Sequence, residues 1–161
     1  MKIMPKELKE IVAFLKSENI KLSAKNRDGR INSSFNETRI LDILSTKFKI
    51  EIPRSRGWFD FAIQEEEFYP VNIKITDATH ADNLNCKLGL YYGLTGRIPS
   101  FPNEISWNKY FEFLKKDLNK NDKDYYFLVI NKQNNKDIFL NSLKSLAVLQ
   151  PNGNNLPFQC K

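Results

Sequence analysis

Residues 58–63, WFDFAI, and 71–76, VNIKIT, are two runs of aromatic and β-branched residues joined by QEEEFYP (64–70). The spacing and turn chemistry predict a β-hairpin. Side chains alternate along a strand, so Phe59, Phe61 and Ile63 should share one face with Val71, Ile73 and Ile75, and that face should be core. The other face then carries Trp58, Asp60 and Ala62 against Asn72, Lys74 and Thr76. With the turn centred near Glu66 or Glu67, Asp60 lies across from Asn72 or Lys74. The ordinary reading of such a pair is a cross-strand ion pair worth about 0.2–1 kcal/mol.

On the N-terminal side, residues 4–18 (MPKELKEIVAFLKSE) place Leu8, Ile11, Val12 and Leu15 at helical spacing. Residues 23–34 (SAKNRDGRINSS) are polar and basic, a loop or an arm, and Lys21, Lys25, Arg27 and Arg30 could together embrace DNA. A second helix is expected from an N-cap at Ser34 or Asn36 through ETRILDILSTKF. A short strand at 49–53 and a turn at 54–57 lead into the hairpin.

Beyond the hairpin, 82–94 reads as a helix stopped near Gly96, and Ser106 caps another, WNKYFEFLKKDL. Residues 124–130 form a nearly continuous apolar run, suited to a central strand buried on both faces. Residues 139–149 read as a last helix and PNGNNLPFQCK as an irregular tail. The order α-α-β-β-β-α-α-β-α predicts an α/β (α+β) fold, a mixed central sheet flanked by helices. One domain spans 1–161: an N-terminal helix and basic arm (1–33), a core (34–132), and a C-terminal helix and tail (133–161).

A chain of 161 residues with 41% hydrophobic and 12% aromatic content is that of a globular protein. No apolar run nears the roughly 20 residues needed to cross a bilayer, and the first residues do not read as a signal peptide. A cytosolic protein without a membrane partner is therefore expected. Cys86 and Cys160 lack zinc-ligand spacing, and His80 is the sole histidine, which argues against zinc sites, HNH-type nucleases and His-based triads. The absence of a phosphate loop ending in Lys-Ser/Thr argues against a nucleotide cofactor. A net charge of +6 biases the chain toward polyanions.

The second helix adds an acid. Glu37 falls on the apolar stripe of Ile40, Leu41, Leu44 and Phe48, where a carboxylate is uncommon unless paired or bound to a metal. Its place in the expected first turn, where it favours the helix dipole, is the alternative explanation.

An inward acid on a helix, Asp60 on one strand and Asn72-Ile-Lys74 on the next resemble the PD-(D/E)xK nuclease superfamily, whose core is αβββαβ. The likeness runs from Glu37 through the strand at 124–130 and is nearest to type II restriction endonucleases. It implies Mg²⁺, with Mn²⁺ as a substitute, held by Asp60, the Ile73 carbonyl and Glu37. It also implies a catalytic set of Glu37, Asp60, Asn72 and Lys74, in which Lys74 contacts the attacking water and the scissile phosphate. Asn72 stands where the family has its second acid, so the site is one charge short. That departure keeps open a DNA-binding module on a degenerate nuclease fold, and a structure-specific nuclease such as a Holliday-junction resolvase is the enzymatic alternative.

Double-stranded DNA is the expected partner, bound by a homodimer that matches its two-fold symmetry. Candidate DNA contacts are Arg54 and Arg56 beside the strand of Asp60; Asn83, Asn85 and Lys87 in the helix after Lys74; and Asn152, Asn154, Asn155 and Gln159 in the amide-rich tail. A solvated basic turn, helix capping and Asn-Gly turn chemistry are the ordinary alternatives.

Overall fold

A mixed sheet of five strands and four α-helices builds the computed structural model, which describes residues 4–22, 29–54, 57–76 and 87–146, the side chains of 29–33 excepted. The elements are α1 (Lys6–Ser17), α2 (Gly29–Ser45), β1 (Ile50–Glu51), β2 (Phe61–Gln64), β3 (Phe68–Thr76), α3 (Lys87–Thr95), α4 (Trp107–Asp117), β4 (Tyr126–Asn131) and β5 (Ile138–Ser142), followed by a 3₁₀ turn at Leu143–Ser145. The strands lie in chain order across the sheet, every pair antiparallel except β3–β4. A parallel pair requires a long crossover, and α3 and α4 lie in the chain between those two strands.

The hairpin forms with Phe61 opposite Val71 and Gln64 opposite Phe68, so Glu65, Glu66 and Glu67 make the turn. β3 starts earlier than the sequence predicts and runs through Pro70. Proline is tolerated there because Pro70 precedes the first β3–β4 pair, Val71 with Tyr126, and no ladder donor is lost on that side.

Both faces of the sheet are buried. Phe61, Ile63, Val71, Ile73 and Ile75 pack with Tyr126, Leu128 and Ile130 beneath Leu8, Ile11 and Leu15 of α1 and Ile40 and Leu44 of α2. On the other face Ala62, Tyr125 and Phe127 pack with Phe59 and Leu143. The apolar run at 124–130 does serve two cores, since Tyr126 and Leu128 face one and Tyr125 and Phe127 the other.

Phe59 departs from the expected alternation. It joins the second cluster although Phe61, two residues on, belongs to the first. The Asp60 N–H donates to Val71 O at 2.9 Å, while Phe61 is the residue paired with Val71. Two residues thus oppose one, as in a β-bulge, and the extra residue reverses the facing of everything before it.

Two other expectations are corrected. α2 begins at Gly29, not at a cap on Ser34 or Asn36; Asn36 is inside the helix and 3% exposed. The C-terminal helix expected at 139–149 is replaced by β5 and the 3₁₀ turn, with 147–149 outside the described residues. The run IFLNSLKSL satisfies both helical and strand spacing over so few residues. The exposed hydrogen-bonding edge of β4 decides for the strand, pairing Ile130 with Ile138 and Leu128 with Leu140. Asp124, buried at the start of β4, fastens the end of β5 by accepting from Ser142 Oγ and the Lys144 N–H. The helix expected at 82–94 is seen as α3 from Lys87, its earlier residues lying outside the described part.

The β4–β5 turn also closes α1: Lys136 Nζ donates to the carbonyls of Lys16 and Glu18, each at 2.7 Å, satisfying acceptors that the helix end leaves open. No described helix is long and apolar enough to cross a membrane.

Gly89 marks the tightest approach of α3 to the sheet. A Cβ there would stand 2.6 Å from the Tyr125 ring, which is 1% exposed and cannot swing aside. Gly89→Ala is expected to cost about 1–3 kcal/mol, read as a lower urea midpoint with an unchanged slope. Gly93→Ala, which meets only a Leu143 methyl at 3.1 Å, should cost less.

Candidate active site

β2 begins only at Phe61, opposite Val71, while β3 continues to Thr76, so the edge of β3 runs on beyond its hairpin partner. The next donor along that edge is the Ile73 N–H. It is taken by a side chain instead of a strand: Asp60 Oδ2 accepts it at 2.6 Å. A strand residue projects its N–H and C=O to the same side, which places the Ile73 carbonyl on the Asp60 side of β3 as well. The bulge is what brings Asp60 here, by adding the one residue that turns its backbone toward Val71.

The segment before Asp60 is held firmly. Tyr125 donates its hydroxyl to Trp58 O at 2.6 Å, and a Cβ on Gly57 would stand 2.6 Å from the Pro53 ring. Neither tie was legible in the sequence. Only the glycine itself signalled a close backbone approach.

Burial pushes the Asp60 carboxyl above its ordinary value; the hydrogen bond from Ile73 and the positive charge of Lys74 pull the other way but do not prevail. Lys74 and Asn72 alternate with the buried Ile73 and so project toward the second face. Because the bulge sets both Asp60 and Phe61 against Val71, the next residue along β3 beyond that pair is Asn72. Its Oδ1 is buried with no hydrogen-bond partner, a costly state for an amide oxygen.

Glu37 lies eight residues into α2, about 12 Å along its axis. The helix dipole falls off within the first turn, so the first-turn explanation of this acid fails. Glu37 and Asp60 line the same cleft of about 340 Å³, together with Ser34, Thr38, Ile52 and Gly57. Asn72 and Lys74 are not among its walls; Lys74 lies near enough for its charge to act on Asp60.

Arg54 is exposed and adjoins Pro53, a wall of this cleft. Lys87 is committed elsewhere: its Nζ donates to the carbonyls of Asn103 at 2.9 Å and Ile105 at 3.0 Å, and sits 4.5 Å from the Trp107 ring centre. It ties α3 to the loop before α4, so its ammonium is engaged within the protein. Arg56, Asn83, Asn85, Asn152, Asn154, Asn155 and Gln159 lie outside the described residues.

Among the described residues no three His, Cys, Asp or Glu side chains cluster as a metal site. The cleft brings together the carboxylates of Glu37 and Asp60, and the Ile73 carbonyl lies on the Asp60 side of β3, all hard oxygens. That set suits Mg²⁺ or Mn²⁺ and not zinc. Comparison of the chain with protein-family models, curated proteins and solved structures found no match.

Two measurements follow from this geometry. The folded-state value of Asp60 lies above the unfolded 3.8, so the native protein holds that proton more tightly, and stability falls as pH rises from 3.8 through the folded value. Asp60→Asn is therefore expected to raise the melting temperature at neutral pH, with the difference fading below pH 3.8; a less stable variant at neutral pH would contradict this. Tyr125→Phe leaves Trp58 O without its donor and should cost about 1–2 kcal/mol in chemical denaturation.

Proposed function

We propose that this chain is a divalent-metal-dependent endonuclease that hydrolyses phosphodiester bonds in double-stranded DNA, a cytosolic homodimer of the PD-(D/E)xK type and nearest to the type II restriction enzymes. The observation that carries this reading is the meeting of Glu37 from α2 and Asp60 from the bulge in one cleft, with the charge of Lys74 acting on Asp60. The order α2-β1-β2-β3-α3-β4, with α4 added before β4, lends support because it follows the αβββαβ core of that superfamily.

Asp60, Glu37, Asn72 Oδ1 and the Ile73 carbonyl are the groups that would hold Mg²⁺ or Mn²⁺. When bound, such a cation neutralises phosphate charge and makes water a better nucleophile. The Ile73 N–H fixes the Asp60 carboxylate against rotation, so its ligand oxygen is placed before substrate arrives. The ammonium of Lys74 holds a phosphate oxygen and orients the attacking water. Arg54, exposed next to the cleft wall, meets a neighbouring phosphate.

Asn72 motivates a second reading, a DNA-binding module that has lost most of its catalysis. An amide brings no negative charge, so the cation would be held more weakly than by a second carboxylate.

Plasmid DNA incubated with the protein and Mg²⁺ is expected to yield discrete ends that sequencing maps to a common site, and a chelator should stop the reaction. Asp60→Ala and Lys74→Ala should each slow cleavage by roughly a hundredfold or more with unchanged circular dichroism. Intact plasmid in both Mg²⁺ and Mn²⁺ would overturn the nuclease reading. Tight duplex binding without cleavage, with activity gained by Asn72→Asp, would mark the binding module instead.

A further inference from the structure

A second cleft, of about 520 Å³, opens on the other side of Phe59. Phe59 lines both this cleft and the one that holds Asp60. Its remaining walls include Trp58, Phe68 and Tyr92, with Gln64 and Lys123 among the polar ones. The rings gather around Trp58, whose centre lies 5.0 Å from that of Phe59, 5.9 Å from Phe68 and 5.1 Å from Tyr92. Trp58 and Phe68 remain half-buried, so ring surface faces the opening. A core would have closed over such a space; this one falls within the roughly 300–1,000 Å³ of small-ligand sites.

Aromatic walls recognise a flat ring by stacking, which is tolerant of ring identity. The Gln64 amide, exposed at the end of β2, suits the hydrogen-bonding edge of such a ring. Lys123 shares this wall with Glu51 and has its Nζ 4.0 Å from a Glu67 carboxylate oxygen, a pairing it would exchange for an attached phosphate. A heteroaromatic ring carrying a phosphate is a nucleotide. The position agrees: Trp58 and Asp60 are two residues apart, at most about 7 Å of chain, so a strand with its phosphate at Asp60 has a base within reach of Trp58.

We infer that this aromatic cleft is a base subsite, taking an unpaired nucleobase next to the scissile phosphate. The inference rests on the nuclease reading and narrows its substrate. A base stacked inside a duplex cannot enter, so the substrate strand is either already unpaired at that nucleotide or releases it from the helix.

Trp107→Phe leaves Trp58 as the sole tryptophan of the two in the chain. Its emission is titrated with an oligothymidine strand, an abasic strand of equal length, and duplexes with and without one mismatch. The thymidine strand is expected to quench Trp58 saturably and to bind roughly 5- to 150-fold more tightly than the abasic strand. Gln64→Phe, filling the mouth from an exposed position, should remove the quenching. Quenching by the mismatched but not the matched duplex identifies a base released from a helix, and quenching by the single strand alone identifies one already unpaired. In the unsubstituted protein, 2-aminopurine in the strand gives the same readout from the ligand side. Equal affinity for thymidine and abasic strands, unchanged emission on binding, or no binding overturns the base subsite. The first two leave plasmid cleavage unaffected and the nuclease reading standing; quenching by a protein that leaves plasmid intact keeps the subsite and removes the nuclease.

Discussion

The hydrogen bond from the Ile73 N–H to the Asp60 carboxylate stands where one strand of the hairpin has ended and the other has not. A strand edge left there inside the protein would carry an unpaired donor, at a cost of about 1–3 kcal/mol. Asp60 supplies the acceptor, and the bulge at Asp60 and Phe61 is what delivers it. The same carboxylate lines one cleft with Glu37 from α2. Completion of the β-ladder and assembly of the candidate centre therefore depend on one side chain. This explains why a carboxyl pushed upward by burial is kept at this position: its neighbours, Ile73 N–H and Lys74, offset only part of the desolvation.

The second face of the sheet sets the precision of this arrangement. Tyr125 reaches from the start of β4 to Trp58 O, and Gly89 lets α3 close upon the Tyr125 ring. Packing of α3 is thereby linked, through one ring and one hydroxyl, to the backbone that carries Asp60. The bulge has a further effect. By sending Phe59 to the second face, it makes that ring the partition between a polar cleft with two carboxylates and an aromatic cleft with an amide and an ammonium. Two chemically distinct surfaces thus lie within three consecutive residues, Trp58 to Asp60.

Helices α1 and α4, the hairpin and the buried strand at 124–130 were legible because each has a strong local period or a run too apolar for any other place. Asp60, Lys74 and Glu37 were legible as candidates for a related reason: charges stand out against an apolar pattern. Other features depended on partners distant in the chain. The residues of β5 suit a helix until the open edge of β4 is beside them. The first residues of α2 lack an apolar stripe, so its start at Gly29 could not be read from periodicity. Lys87 looked available to a phosphate because the carbonyls of Asn103 and Ile105 that hold it are sixteen and eighteen residues away.

The hairpin of Asp60 and Lys74 shows where the division falls. Sequence by itself determined that two strands pair there, that Ile73 and Ile75 face a core, and that Asp60 and Lys74 come near one another, because alternation and turn chemistry are local properties of the chain. Only the tertiary structure decided that Phe59 turns away from Phe61, that the face expected to lie opposite the core is itself covered, and that Glu37 shares the cleft of Asp60. A bulge changes the count of residues across a pair of strands, and that count exists only once both strands are in place.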